Sequence, residues 1–524
     1  MLRIKNEGIR LIQKGKRGAV QAVFGRLGFI VCSLALQVLL ILLVIWRFNQ
    51  YAPHIMTVSI LLSLGMSLYL LNSTIDPTAK ITWLIVIIFL PVFGALFFLY
   101  TQKDVGHRML KKHHEVILKK TEDCIVQDPK VLKVLQGQNP ALASLHRYLN
   151  KSGCFPVYSG CDVQYFSLGE YKFEEVLNQL KKARSFIFME YFIIHEGLMW
   201  GKVLEILAEK VKEGVEVRVM YDGTCEFSTL PHDYPERMKE LGIQCKMFAP
   251  VRPFLSTHYN YRDHRKILVI DNEVAFTGGI NMADEYINRV ERFGHWKDTA
   301  IMVRGQAAQS FTLMFLQMWN VEEKNIELDR YVHHFSPIYD GAKGFVIPYA
   351  DCPVDQYKVG EMVYMDLLNR AQKYVHIMTP YLILDGELET ALKFAAERGV
   401  QVQLILPGIP DKKVPYALAK THYASLMNSG VEIYEYDPGF VHAKVWTVDD
   451  DKAVVGTINL DYRSLYHHFE CGCLLYDVNC FAEIEGDFQR TLSLCHRVSE
   501  QSLQNESWKM KFMGRSLKWI APLL

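Results

Sequence analysis

The first hundred residues differ from the rest of the chain in the arrangement of their apolar positions. Three long apolar runs occupy 27-46, 55-71 and 81-100, and a basic segment, 1-26, precedes the first of them. About 20 apolar residues in a helix cross a hydrocarbon layer of ~30 Å, so the region 27-100 is predicted to be transmembrane. The middle run is marginal because serines and a threonine dilute it. Three spans are predicted, and two are the alternative if the second and third runs pair as a hairpin and the first lies at the interface. A cleaved signal peptide is disfavoured because the first run is long and further apolar runs follow it.

Basic residues lie on both sides of the predicted spans. The segment 101-144, which we interpret as a basic linker, repeats the positive character of the N-terminus. The positive-inside rule places both flanks in the cytoplasm, and three spans cannot satisfy it. Either one run does not cross, or the large domain is translocated regardless of its charge, and the membrane side of that domain stays open.

From about residue 145 the pattern changes to alternating helix and strand signals. The stretches FEEVLNQLKKARSFIFMEYFII and VLEILAEKVKEGVEVRVMYDG each read as an amphipathic helix followed by a strand. The same order recurs in MDLLNRAQKYVHIMTPYLI, LETALKFAAERGVQVQLILPG and LMNSGVEIYEY. The matching glycines Gly214 and Gly399 lie 185 residues apart. We therefore predict a duplicated α/β fold with a first lobe at 145-330 and a second at 331-500, meeting where ligand sites tend to form.

One motif appears in both predicted lobes with identical spacing. Each copy has a His, a Lys two residues later, then an Asp, a Gly and an Asn, and the two histidines lie 178 residues apart. The copies are HRKILVIDNEVAFTGGIN, with His264, Lys266, Asp271, Gly278 and Asn281, and HAKVWTVDDDKAVVGTIN, with His442, Lys444, Asp449, Gly456 and Asn459.

The motif suits chemistry at a phosphate. Strand side chains alternate in direction, so the His and the Lys two residues later share one face. Two imidazoles serve a displacement through a covalent intermediate, in which one attacks and the other protonates the leaving oxygen. The lysines, with Asn281 and Asn459 as candidate phosphate-binding amides, would stabilise the oxyanion without a metal.

Composition and charge exclude several classes of protein. The net charge of +1 argues against a nucleic-acid partner, whose domain would be strongly basic. The eleven cysteines show no zinc-type spacing, and the paired histidines do not match a metal-ligand pattern. The sequence contains no phosphate-binding P-loop. We therefore expect neither a metal nor another cofactor.

The motifs resemble the HKD motifs of the phospholipase D superfamily, and the flanking sequence resembles its bacterial cardiolipin synthases. The resemblance covers nearly the whole chain, and it implies two phospholipase D-like lobes, each a mixed sheet flanked by helices, behind N-terminal transmembrane helices. The stretches that carry it are RDHRKILVIDNEVAFTGGINMADEYI, FGHWKD, YDPGFVHAKVWTVDD, GTINLDYRS and IDPTAKITWLIVIIFLPVFGALFFLY.

The resemblance also implies roles for individual residues. It makes His264 the nucleophile and His442 the general acid, and it supplies acidic partners for the imidazoles, Asp298 in GHWKD and Glu470 in HHFE. The position two residues before this glutamate holds a His where many relatives have Asn. The candidate catalytic residues are then His264, Lys266, Asp271, His442, Lys444 and Asp449.

For the two motif aspartates, the family resemblance and the strand pattern give different predictions. Asp271 and Asp449 are counted within the family motif, yet each lies an odd number of residues past its Lys. Strand alternation turns them away from the His and Lys, so we interpret them as structural.

The implied activity is transphosphatidylation. Two phosphatidylglycerol molecules would give cardiolipin and glycerol in the plasma membrane of a bacterium. Alternatives within the superfamily are a hydrolytic phospholipase D and a phosphatidylserine synthase. Acyl preference and oligomeric state cannot be read from the sequence. The C-terminal stretch 501-524 mixes aromatic and basic residues, which fits equally a helix in the membrane interface and one packed on the domain.

Overall fold

The structure is a computed structural model of the 524-residue chain. It falls into two compact units, residues 12–104 with 523 and the rest of the chain. The residues that it describes are 2–4, 8–11, 46, 52–73, 75, 77–90, 94–95, 98–99, 105–250, 261–321, 323, 328–332, 337–519 and 521.

The smaller unit contains two described helices, α1 (Ala52–Leu71) and α2 (Pro77–Phe89). They pack through an apolar cluster that includes Leu70, Trp83 and Ile87. The helix α1 overlaps the second predicted span and α2 part of the third, whereas the first, 27-46, lies outside the described residues except for Trp46. Among the described residues, no helix combines the length and apolar character needed to cross a bilayer. The three spans therefore stay predictions.

The larger unit begins with a hairpin of β1 (Leu2–Ile4) and β2 (Gly8–Arg10). The stretch interpreted as a basic linker is largely helical. Asp128 and Asn139 cap the second and third of its helices, each with a proline in the first turn, which suits a helix start. These helices are α3 (Val105–Thr121), α4 (Pro129–Gln138) and α5 (Pro140–Gly153).

The first large sheet has seven strands in the order β4-β12-β10-β9-β5-β6-β7. Its last three strands are parallel and the other neighbours are antiparallel. Its strands are β4 (Asp162–Phe166), β5 (Phe186–Tyr191), β6 (Glu216–Asp222), β7 (Gln244–Phe248), β9 (Lys266–Ile270), β10 (Val274–Gly278) and β12 (Ala300–Arg304). Three short strands from the same part of the chain pair outside this sheet: β3 (Tyr158–Ser159), β8 (Arg262–Asp263) and β11 (His295–Lys297).

The second large sheet repeats this arrangement in the order β13-β20-β19-β18-β14-β15-β16, with β3 and β21 added at its edges. Again the last three of these seven are parallel and the others antiparallel. Its own strands are β13 (Phe345–Asp351), β14 (Tyr374–Met378), β15 (Gln401–Pro407), β16 (Glu432–Tyr436), β18 (Val445–Val448), β19 (Lys452–Gly456), β20 (His468–Tyr476) and β21 (Cys495–Arg497), and β17 (Gly439–Val441) pairs outside it.

Helices flank both sheets, and the predicted α/β class is confirmed. Gly214 and Gly399 both have a φ near +90° at helix-to-strand turns, a conformation that glycine adopts without strain. The helices are α6 (Gly169–Lys182), α7 (Leu198–Lys212), α8 (Cys225–Ser228), α9 (Tyr234–Lys239), α10 (Ala308–Trp319), α11 (Asp329–Val332), α12 (Val359–Arg370), α13 (Gly386–Glu397), α14 (Lys413–Asn428), α15 (Tyr462–Tyr466), α16 (Phe481–Leu492), α17 (Glu500–Asn505) and α18 (Trp508–Lys518).

Candidate active site

The two copies of the motif occupy equivalent strands. Lys266 begins β9 and Lys444 directly precedes β18, and each strand lies in the interior of its sheet. A turn with positive φ then leads to an antiparallel partner, β10 or β19. Apart from Lys266 and Thr447 both strands are apolar, and all their residues are buried, as expected for central strands covered on both faces.

The two sheets exchange short strands beside the motif histidines. The strand β8 pairs in parallel with the start of β20, and β11 pairs in parallel with β17. The backbone N–H of His264 donates to the carbonyl of Phe469 at 2.9 Å, and that of His442 to the carbonyl of Lys297 at 2.7 Å. Each histidine is therefore held by backbone from the other half of the chain.

This exchange brings each imidazole to a carboxylate from the opposite half. Nδ1 of His264 lies 2.8 and 3.0 Å from the two carboxylate oxygens of Glu470. Nδ1 of His442 lies 2.7 Å from Oδ2 of Asp298. All four side chains are buried. We assign the proton to Nδ1 in both rings because each carboxylate accepts there, which leaves Nε2 with its lone pair.

The lysines are buried beside the histidines. Lys266 donates from Nζ to the carbonyl of His264 at 2.5 Å, and Lys444 makes the equivalent bond to His442. Nζ of Lys444 also lies 3.0 Å from Nδ1 of His442. Burial lowers the pKa of Lys266 to about 8 and that of Lys444 to about 7. Both cations therefore lose charge close to neutral pH.

Burial favours the neutral form of both imidazoles. Burial and the charges of Lys266, His468 and Lys444 lower the pKa of His264 well below 6.5. Burial and Lys444 lower the pKa of His442 to about 4. The charge of Lys266 lowers the pKa of both rings, which is consistent with one shared site.

The pKa values of the two carboxylates shift in opposite directions, although Glu470 and Asp298 are equally buried. Burial raises the pKa of Glu470 well above its usual value, although Lys266 opposes this. Burial acts in the same direction on Asp298, but the charges of His442 and Lys444 outweigh it and lower its pKa. The carboxylate of Asp298 is therefore ionised and favours an imidazolium at His442, whereas the Glu470 pair favours a neutral ring at His264.

The candidate phosphate-binding amides are buried near the motif strands. Oδ1 of Asn281 accepts from the N–H of Ile193 at 3.0 Å, and its Nδ2 donates to the hydroxyl of Tyr286 at 2.8 Å. Asn459 is also buried, beside the carboxyl of Asp461. The amide of Asn281 thus already has protein partners, so phosphate binding by either asparagine stays a prediction.

The motif aspartates lie away from this site. Asp271 follows the far end of β9, roughly 16 Å of extended chain from Lys266. Its carboxylate accepts the backbone N–H groups of residues 184–186 at 2.7, 2.7 and 2.8 Å. Asp449 accepts those of residues 372–374 in the same way. Their inclusion among the candidate catalytic residues is not supported by this geometry, because each carboxylate is used to anchor the start of a neighbouring strand.

A substitution separates the structural role from a catalytic one. We expect Asp271→Ala to lower the free energy of unfolding by about 1–3 kcal/mol, because three backbone donors lose an anionic acceptor. The turnover number per folded molecule should stay within about two-fold, since Asp271 is remote from the imidazoles. Thermal unfolding in detergent and a kinetic assay measure the two quantities. A large loss of turnover without a loss of stability would contradict the structural assignment.

Several site residues were not identified from the sequence. Thr457 donates from its hydroxyl to Glu470 and holds that carboxylate. Gly279 occupies the equivalent place in the first motif, where a Cβ would lie 2.1 Å from Oδ1 of Asp298. The two motifs therefore differ in the residue beside the carboxylate, and in the sequence this difference is visible only as GGIN in the first copy and GTIN in the second. Lys172 is also buried near Asp298, and burial lowers its pKa to about 7.

One group of side chains has the composition of a metal site. His264, His468 and Glu470 can each offer a ligand atom within 4.8 Å of the others. Both ring nitrogens of His468 are buried without a hydrogen-bond partner among the described residues. A cation here would compete for Nδ1 of His264, whose bond to Glu470 sets the tautomer of the ring. We therefore assign this carboxylate to the imidazole and give no metal a role.

Comparisons with known proteins agree with these features. A family model described as cardiolipin synthase, PLD-like domain, matches residues 176–319 and 364–492, and one described as phospholipase D-nuclease N-terminal matches 60–101. A cardiolipin synthase of Alkalihalophilus pseudofirmus is 32% identical over 86% of this chain and 89% of its own length. A Streptococcus mutans protein named only as uncharacterized is 56% identical over 88% of this chain and 100% of its own length.

Among solved structures, a phosphatidylserine synthase of Haemophilus influenzae has a similar fold. It superposes with a TM-score of 0.57 at 14% identity, over 74% of this chain and 100% of its own. At this identity the likeness concerns the fold alone.

Proposed function

Because the chain belongs to the family of cardiolipin synthases with phospholipase D-like domains, we propose that it condenses two phosphatidylglycerol molecules into cardiolipin and glycerol. The observation that carries this proposal is the pair of buried imidazoles, each with Nδ1 on a carboxylate from the other half of the chain. Two such rings with two buried lysines suit exchange of one phosphodiester for another, which consumes no nucleotide.

In the first step Nε2 of His264 attacks phosphorus, and the bond from phosphorus to the glycerol oxygen breaks. His442 enters this step as the imidazolium, and its Nε2 gives the proton to the departing glycerol oxygen. The ionised Asp298 beside His442 supports this division of roles, because a negative neighbour favours the imidazolium that a general acid requires. The result is a phosphatidyl group on His264 and free glycerol.

In the second step His442 acts in reverse. It takes the proton from a glycerol hydroxyl of a second phosphatidylglycerol, whose oxygen attacks phosphorus and releases His264. Cardiolipin forms and both imidazoles return to their starting state. The cations of Lys266 and Lys444 stabilise the negative charge on the non-bridging oxygens in both steps. We place this activity in the bacterial plasma membrane, where the substrate is found.

The product distinguishes this proposal from its alternatives. Membranes containing the protein would be incubated with labelled phosphatidylglycerol and their lipids separated. Cardiolipin with an equal amount of glycerol is expected. Phosphatidic acid as the main product would instead identify a hydrolase, in which water takes the second step. Formation of phosphatidylserine after addition of serine would favour the activity named for the Haemophilus influenzae neighbour.

The lysines predict how the reaction depends on pH. Their charge is present below a pKa of about 7 for Lys444 and about 8 for Lys266 and is lost above it. The proton of His442 is lost in the same direction. We therefore expect kcat/KM to fall as pH rises through 7 to 8, by up to about ten-fold per pH unit. A pH series in detergent with phosphatidylglycerol measures this, and a kcat/KM that rises over that range would contradict it.

A further inference from the structure

The C-terminal helix α18 has two different faces. At 3.6 residues per turn, Met510, Gly514 and Leu517 lie on one side. This side packs on α14, where a Cβ on Gly514 would lie 2.3 Å from the carbonyl of Ala417. Leu517 joins an apolar cluster with Tyr462 of α15. The helix is therefore attached to the domain through one face.

The opposite face is aromatic and exposed. Trp508 is 72% exposed, Phe512 66% and Trp519 44%, and all three fall within a narrow sector of the helix. Cations surround this sector on the same helix: Lys509, Lys511, Arg515 and Lys518. Aromatic rings bordered by lysine and arginine are typical of helices that lie in the headgroup region of a membrane. The sequence left open a helix in the membrane interface and a helix packed on the domain. Both can hold at once, because the exposed face suits the interface and the opposite face packs on the domain.

The packed face lies against elements that lead to the active site. Along the chain, Tyr462 follows Asn459 and precedes β20, the strand that carries Glu470. Val414, at the start of α14, packs against the same cluster as Leu517. Just before it, Ile409 is 41% exposed, and its N–H donates to Gly439 of β17, the strand that ends one residue before the second motif histidine.

We propose that the exposed face of α18 docks on the surface of an anionic lipid bilayer and so holds the active site next to its substrate. The choice of occupant rests on charge, since four cations border the aromatic residues and the proposed substrate, phosphatidylglycerol, is an anionic lipid. Each basic residue near an anionic surface strengthens binding by about five-fold. This docking rests on the proposed function for the identity of the lipid, but its measurement needs no turnover.

The test is hydroxyl-radical footprinting of the full chain, read by mass spectrometry. The protein is compared in detergent, in phosphatidylcholine nanodiscs and in nanodiscs rich in phosphatidylglycerol. Oxidation of Trp508, Phe512 and Trp519 is expected to fall by about five-fold or more in the anionic nanodiscs. Phe394, which is 51% exposed on α13, serves as the control and should not change. Equal oxidation of the three rings in all samples would overturn the proposal. Protection in detergent that grows with protein concentration would also overturn it, because a second copy would then cover the face.

A variant links docking to catalysis. Trp508→Ser with Phe512→Ser should lower activity on bilayer phosphatidylglycerol by about ten-fold or more while leaving activity on detergent-dispersed lipid within about two-fold. Phe394→Ser is the matched control and should change neither. Equal activity of the double variant and the control on bilayers would overturn the proposal. A chain that makes no cardiolipin at all would contradict the proposed function, and the footprint would still report the docking.

Discussion

Replacing His264 with alanine is expected to abolish formation of a lipid-linked enzyme and to lower cardiolipin synthesis by roughly 10⁴ to 10⁶-fold, the range found when one member of a catalytic triad is removed. The residual rate would come from lysines and binding alone. Digestion after incubation with labelled phosphatidylglycerol, followed by mass spectrometry, locates the lipid in the wild-type protein. The label should lie on the peptide that contains His264 and should be missing from the variant.

His442→Ala provides the comparison that separates the two roles. With phosphatidylglycerol it should be as inactive as the first variant, because glycerol leaves without a proton. With a phosphatidyl ester of an acidic phenol the leaving group needs no proton, so this variant should form the lipid-linked enzyme. The intermediate should then accumulate, since nothing activates the second hydroxyl. Label on His442 in the wild-type protein would reverse the assignment.

Replacing either orienting carboxylate with its amide is expected to lower kcat by about 10⁴-fold with little effect on KM. An amide can donate to Nδ1 and so place the ring proton on Nε2, the atom that must attack or accept. Asp298→Asn and Glu470→Gln keep the size of the side chains, so the fold should be preserved. Asp449→Asn is a suitable control, because its carboxylate anchors a strand start away from the imidazoles.

The crossed pairing gives the two amide variants different behaviour. Asp298 contacts His442, so Asp298→Asn should resemble the loss of the general acid and still form the lipid-linked enzyme from the activated ester. Glu470 contacts His264, so Glu470→Gln should slow that first step. Burst kinetics with the activated ester measure the step directly. The reverse result would mean that each carboxylate serves the histidine of its own half.

Local features of the fold were predictable because they repeat over short distances. The period of two in HRKILVID and HAKVWTVD predicted the strands that the structure shows as β9 and β18, although both histidines precede the strand residues. The turn glycines marked helix-to-strand junctions that the structure confirms at Gly214 and Gly399. The same period turned the motif aspartates away from the lysines, and their hydrogen bonds to strand starts agree with this. The helical character of 101-144 was missed because charge dominated its interpretation.

The partners of the site residues depend on contacts that no periodicity encodes. Glu470 lies 206 residues from His264, and Asp298 lies 144 residues from His442. They meet because β8 pairs with β20 and β11 with β17, so the two halves exchange backbone beside each imidazole. The contact of Gly279 with Asp298 and the burial of Lys172 arise from the same packing.

The sequence by itself predicted that the chain is duplicated, that each half carries the same His and Lys at an apolar strand, and that these residues suit chemistry at a phosphate. Spacing along a strand and repetition along the chain are sufficient for those conclusions. Only the tertiary structure decided which carboxylate holds which imidazole and how far burial lowers the pKa values of the lysines. Both depend on the distance and solvent exclusion between segments far apart in the chain, which arise only when the two sheets pack against each other.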